Sequence, residues 1–155
     1  MSGIVNSLGS RSGVIGRTEL DYEEGIHVPT LVCGDGSFTT STAQTLSYIK
    51  IGGICHVNGY INVSSESGSL NATLQMSLPF TSKTGLSEDS EAAAGSIGIR
   101  SHGGTHTTGF TPWIGAGTNL MSIISVDESG TSVWVDQSHL DTAFTFIFQL
   151  TYPIN

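Results

Sequence analysis

The chain has 155 residues, enough for one domain with a sizeable core. It carries five Lys plus Arg against 13 Asp plus Glu, a formal net charge of −8. Nucleic acid and anionic membrane surfaces both demand clustered cations, so neither is expected as a partner.

Gly is abundant, at 20 residues, and Ser plus Thr make up about a quarter of the chain, well above ordinary usage. Helical proteins draw on Glu, Lys, Ala and Leu at exposed positions. Small polar residues suit exposed strand faces and turns instead, which points to an all-β protein. The start, Met1-Ser2-Gly3-Ile4-Val5, lacks the basic-then-apolar pattern of a secretion signal. No apolar run approaches the ~20 residues of a membrane span. The expectation is a soluble protein made in a cytoplasm.

Residues 1–20 differ from the rest. Gly-rich breaks separate two apolar pairs, Ile4-Val5 and Val14-Ile15, with Arg11 and Arg17 nearby. Neither a stable helix nor a core strand fits there. The segment reads as an arm ordered by lying on another protein; the alternative is a disordered leader. The apolar pairs favour the arm, because disordered tails are depleted in Ile and Val. Next comes the acidic run Asp21-Tyr22-Glu23-Glu24-Gly25, read as a junction before a sandwich that begins at Val28-Pro29.

From Val28 onward, strand follows strand: Val28–Cys33, Thr45–Ile51, Ile54–Val63 and Leu70–Leu78. In Ile54–Val63 the odd positions Cys55, Val57, Gly59, Ile61 and Val63 form one buried face. Leu70, Ala72, Leu74, Met76 and Leu78 repeat the alternation. With Ser64–Ser69 as a turn, the two segments are expected to pair as a hairpin. A short helix is expected over Glu88–Ala94, capped by Ser87 and stopped by Gly95. Further strands are Ser96–Arg100, Asn119–Val126, Thr131–Val135 and Ala143–Tyr152. The last carries a stripe of Phe144, Phe146, Phe148 and Leu150, with Ile147 and Tyr152 read as lying off it. About eight strands with close turns suggest a sandwich or jelly roll.

The order of motifs supports a resemblance. Asp21-Tyr22-Glu23-Glu24-Gly25 leads to Val28-Pro29, then Ser47-Tyr48-Ile49-Lys50-Ile51-Gly52. Cys55–Ile61, Ser77-Leu78-Pro79-Phe80-Thr81 and Phe144-Thr145-Phe146-Ile147-Phe148 follow. This order resembles a β-sandwich module of tailed-phage virions, found at the ends of tail fibres and in short marine-phage structural proteins. One position departs: the family's aromatic, typically Trp, is His27 here. The resemblance implies a jelly-roll sandwich over residues 21–155, assembled as a homotrimer and displayed on a virion surface without enzymatic activity. The signature residues it carries over are Asp21, Tyr22, Glu23, Glu24, Gly25, Pro29, Tyr48, Lys50 and Gly52.

A glycosidase needs two carboxyls across a substrate, about 5–10 Å apart. Adjacent Glu23 and Glu24 on an extended chain point to opposite faces, so structural use is expected, either solvated or pairing with Lys50 or Arg17. His102 and His106 suit one face of an extended loop. With no acid or thiol close in sequence, two solvated imidazoles in a mobile loop are expected, and a metal held by rings gathered at a trimer axis is the alternative; an exposed recognition loop is the other use, together with Trp113. Trp113 and Trp134 each suit either sugar stacking or a packed core or interface. Cys33 and Cys55 read as two buried thiols, with a bridge between them as the alternative. Nucleophile elbows and phosphate loops are absent, and no catalytic residue or cofactor is expected.

The functional expectation is a capsid decoration or cement protein docked through residues 1–20 onto the major capsid protein or another virion protein. A tail-fibre tip or receptor-binding protein for host surface glycan is the runner-up, and a free carbohydrate-binding module comes third.

Overall fold

A computed structural model describes residues 21–41, 44–69, 72–85, 93–100, 109–126 and 129–155. The chain forms two antiparallel sheets of six strands each, packed face to face. The first sheet, A, runs β1(Tyr22–His27), β4(Thr45–Ile51), β5(Ile54–Ser67), β12(Phe144–Pro153) and β8(Ser96–Arg100), with β3(Ser37–Thr40) also on β5. The second, B, runs β2(Leu31–Val32), β6(Gln75–Ser77), β10(Leu120–Val126), β9(Phe110–Ile114) and β7(Ala93–Ala94), with β11(Ser132–Trp134) also on β10.

The pair β5–β12 is the backbone of sheet A. It is in register from Phe144 opposite Val63 to Pro153 opposite Ile54. Its inner face carries Cys55, Val57, Ile61 and Val63 from β5, and Phe144, Phe146, Phe148, Leu150 and Tyr152 from β12, all buried. Sheet B answers with Met76, Ile114, Met121 and Ile123, and Leu74, Leu78 and Val135 complete the core. Gly59 is needed where Leu46 and Phe148 meet: a Cβ there would sit 2.6 Å from Leu46 Cδ2 and overlap the Phe148 ring.

The alternation read in Ile54–Val63 and at Leu74, Met76 and Leu78 matches the burial. Their pairing as a hairpin does not. β5 lies in sheet A and β6 in sheet B, where β6 pairs with β10 and β2. The expected turn at Ser64–Ser69 is strand as far as Ser67, because β3 supplies a partner for it. Similar apolar faces are what two facing sheets need, so alternation alone does not separate partners in one sheet from opponents across the core.

Other readings shift too. Tyr22–His27 is a strand paired with β4, so the acidic run is part of the sandwich and not a junction before it. Of Val28–Cys33 only Leu31–Val32 is strand. Ala93–Ala94, read as the end of a helix, pairs with β9; Ser87 and the rest of that segment to Ala92 lie outside the described residues. Tyr152 is in register with the Phe stripe and is buried, whereas Ile147 faces out. The only helical element among the described residues is a 3-10 turn, Gln137–His139, capped by Asp136. Burial pushes the Asp136 carboxyl up, but bonds from the Ser138 side chain and backbone and the neighbouring His139 outweigh it and hold it below the usual range.

Cys33 and Cys55 are free, buried thiols, and burial raises both above the ordinary thiol range. Cys33 Sγ donates to Ala72 O at 2.8 Å.

Glu66 closes the end of the sandwich beside the 3-10 turn. Its Oε1 accepts from Gln137 Nε2 at 2.5 Å, while its buried Oε2 has no partner among the described residues. Burial raises its carboxyl above the usual range, against the opposing Gln137 bond. A raised folded value favours folding below the unfolded value, and that contribution is lost as pH rises through the folded value. Glu66→Gln is therefore expected to raise Tm near pH 7 and to match the parent near pH 4. Thermal melts at the two pH values check this; equal Tm near pH 7 would remove the account.

Candidate functional site

The signature residues gather at one edge of sheet A, and the pleat gives β1 two separate jobs. Glu23, Gly25 and His27 turn toward the sandwich, while Tyr22, Glu24 and Ile26 turn out. Gly25 stands opposite Tyr48, whose ring covers it; a Cβ on Gly25 would lie 2.6 Å from Tyr48 Oη. That glycine lets an aromatic on the neighbouring strand fold across the edge.

Tyr48 Oη donates to Glu23 Oε1 at 2.8 Å, and its ring meets Phe80 edge-on at 5.2 Å. Lys50 Nζ lies 3.3 Å from Asp21 Oδ1 and 3.9 Å from Glu23 Oε2, and 5.7 Å above the Phe80 ring. Tyr22 Oη donates to Glu24 Oε2 at 2.6 Å. These bonds to carboxylates raise both tyrosines, with partial burial adding to it. Gly52, at φ +55 in the β4–β5 turn, donates its N–H to Asp21 O at 2.7 Å. Pro29 is buried just after β1. The expected pairing of the acidic run with Lys50 is thus present.

Sequence reasoning missed the role of His27. Its Nε2 lies 3.1 Å from Ser77 Oγ, and the Thr30 N–H donates to the same oxygen at 2.9 Å. Ser77 belongs to sheet B, so His27 ties the edge of one sheet to the other. Tyr152, on β12, holds Phe80 from the opposite side, accepting from its N–H at 3.3 Å and donating to its carbonyl at 3.1 Å. Burial, with Cys55 beside it, pushes the Tyr152 hydroxyl well above the usual range.

The outward face of sheet A is a second feature. Two shallow depressions, of about 440 and 400 Å³, meet at Asn58. Glu24, Ile26, Ser47 and Ile49 line one, and Ser96, Gly98, Ile147 and Gln149 the other. Sheet B carries a third feature. Trp113 is half-buried and Trp134 exposed, and their rings meet edge-on at 5.2 Å. Trp134 is therefore not a core residue. The period-two pattern around it already placed it opposite Val133 and Val135; what sequence could not supply was its contact with Trp113 on another strand.

The arm residues Ile4, Val5, Arg11, Val14, Ile15 and Arg17 lie outside the described residues, as do His102 and His106. Among the described residues no group of three His, Cys, Asp or Glu side chains could hold a metal ion, and no helix is long and apolar enough to cross a membrane.

No family model and no curated protein matches this chain. Among solved structures, the crystal structure of Dettilon tailspike protein (gp208) is similar, with a TM-score of 0.64 and 21% sequence identity. The match covers 86% of this chain and 24% of the tailspike's, so the chain spans about a quarter of that protein's length. The likeness shows the fold: a two-sheet sandwich that also occurs within a phage tailspike.

The Gly25–Tyr48 contact yields a direct test. Gly25→Ala must displace the Tyr48 ring, breaking its bond to Glu23 and its packing on Phe80. Overpacking of this kind costs about 1–3 kcal/mol. Urea denaturation is expected to show that loss, and an unchanged midpoint would contradict the packing argument.

Proposed function

We propose that this chain is a non-enzymatic structural protein on the outside of a tailed-phage virion, a homotrimer of jelly-roll sandwiches. The observation that carries the reading is the fold shared with a tailspike over 86% of the chain. The signature motif agrees with it: its acidic residues are engaged in closing a sheet edge, with Glu23 bound by Tyr48 and Lys50 and Glu24 by Tyr22. The jelly-roll winding is supported by β5, β6, β8 and β9, which alternate between the sheets. Within the virion, the apolar pairs of residues 1–20 favour a capsid decoration or cement protein, with the arm docked on the major capsid protein.

A second reading, a tail-fibre tip or receptor-binding protein for host surface glycan, is favoured by the exposed Trp134 beside Trp113, since aromatic faces suit sugar rings. The carbohydrate-binding-module alternative rests on the same pair.

Gold-labelled antibody on virions of the encoding phage tests the placement. Label over the capsid, lost when residues 1–20 are deleted from a protein that still folds, supports decoration. Label at the tail tip supports the second reading, and unlabelled virions overturn both. For the second reading, glycan-array binding by the isolated protein should be abolished by Trp134→Ala; binding that survives it would remove the tryptophan site.

A further inference from the structure

We propose that the outward face of sheet A is the surface through which copies of this chain meet, turned toward the axis of the assembly, with the β1 edge of one copy beside the β8 edge of the next. The inference deepens the homotrimer reading above and rests on it for the number of copies.

The β4 edge of the sheet is inverted. On β4, Leu46, Tyr48 and Lys50 turn toward the sandwich, while Ile49 and Ile51 turn to the outside. Asp21, Glu23 and the Phe80 ring hold Lys50 inward, but a monomer in water gains nothing from aiming the isoleucines outward. Neighbouring strands continue the trend. Cross-strand registers bring Ile26, Ile49, Ile51, Ile54, Tyr60 and Ile147 onto one face, each between 41% and 71% exposed. Single exposed apolar residues need no explanation, but six on one sheet face, flanking its polar central rows on both sides, mark a contact surface.

The same face also carries polar groups. His56 Nδ1 lies 2.8 Å from Thr151 Oγ1, and Asn58 Nδ2 lies 3.2 Å from His56 Nε2. His56, Asn58 and Thr151 thus engage one another, which lowers the cost of covering them with a partner surface.

Shape and charge point to a second copy as that partner. The depressions meeting at Asn58 are bordered by projecting Ile26, Ile49 and Ile147. In a head-to-tail ring the β1 side of the face, with Ile26 and Ile49, packs against the β8 side, with Ile147, of the next copy. The five strands in line, at about 4.8 Å spacing, and a length of about seven residues make a face of roughly 24 by 23 Å. Its projected area, about 550 Å² before side-chain relief is added, is of the order of the ~800 Å² of accessible surface that a stable interface buries per partner. The two edges of the sheet differ in sign. Asp21, Glu23 and Glu24 mark the β1 edge, where Lys50 is the one cation paired with them among the described residues. Arg100 ends β8 at the other edge, exposed and without an ion partner among the described residues. Head-to-tail contact in a closed ring brings each Arg100 toward the next copy's acidic edge.

Sedimentation equilibrium on the full chain tests the proposal. The unaltered protein is expected to be a trimer. Ile147→Glu and Ile49→Glu should each weaken assembly about thirtyfold or more, as loss of a central contact does. Both positions are exposed in the single chain, so circular dichroism should report a native sandwich; Ile147→Ser provides a milder variant if either fails to fold. Arg100→Glu should weaken assembly and the pair Arg100→Glu with Glu24→Arg should restore it, while Trp134→Glu on the other sheet should leave it intact. A trimer insensitive to the sheet A substitutions overturns this surface and leaves the trimer standing. A monomer before any substitution overturns the trimer reading itself.

Discussion

The long register between β5 and β12 is the constraint on which the rest of the molecule depends. It sets which side chains point inward along ten consecutive pairs, and a slip of one residue would send the Phe stripe into water. Gly59 guards that register from within. It stands opposite Phe148 and beside Leu46, and no other residue leaves room for both. Once the pair is placed, β4 and β8 add to its flanks. The phenol of Tyr152 then reaches across to hold Phe80, which in turn seats Tyr48 and Lys50. The signature edge is downstream of the core, joined to it by the β4–β5 ladder and by the Phe80 ring.

That dependence explains why an acidic sequence motif has a mechanical role. Asp21, Glu23 and Glu24 might equally line a cleft, if only their chemistry were considered. The pleat separates Glu23 from Glu24, and Tyr48, Lys50 and Tyr22 engage them on their two sides. Exposed ion pairs of this kind add little stability one by one. Their effect here is positional: they keep β1 paired along an otherwise open edge. His27 extends the same task to the second sheet through Ser77. A histidine can make that polar link where a larger aromatic would rely on packing.

Much of the fold was legible in the sequence, and the limits have physical causes. Period-two alternation identified the buried faces of β5, β6 and most of β12, because burial is a one-residue property read along a strand. Pairing is a two-strand property. Both halves of a sandwich core look alike in sequence, so β5 and β6 were assigned to one hairpin when they face each other across the core. β1 was missed as a strand because its outward face mixes Tyr22, Glu24 and Ile26, and β3 because it is only four residues long. At the candidate site, the Lys50 partnership was legible from opposite charges. The Gly25–Tyr48 contact was not, since it depends on register. The Trp113–Trp134 contact was hidden for the same reason, as the two residues reach each other only across the breadth of β10.

The distribution of charge bears on how so acidic a chain could associate with itself. Copies with a net charge of −8 repel at long range. At about 0.15 M salt that repulsion is screened beyond roughly 8 Å, so what matters is which groups come within that distance. On the outward face of sheet A the central rows hold Ile49, His56, Thr151, Ser47, Asn58 and Gln149, none of them acidic. The carboxylates sit at the β1 edge, and Glu24 reaches the face only at its border. Contact through the centre therefore brings together apolar and neutral surface, and the edges alone decide the electrostatic sign. With Arg100 at the opposite edge, like edges repel and unlike edges attract. Net charge and self-association are compatible because this sheet keeps its acids at its margin.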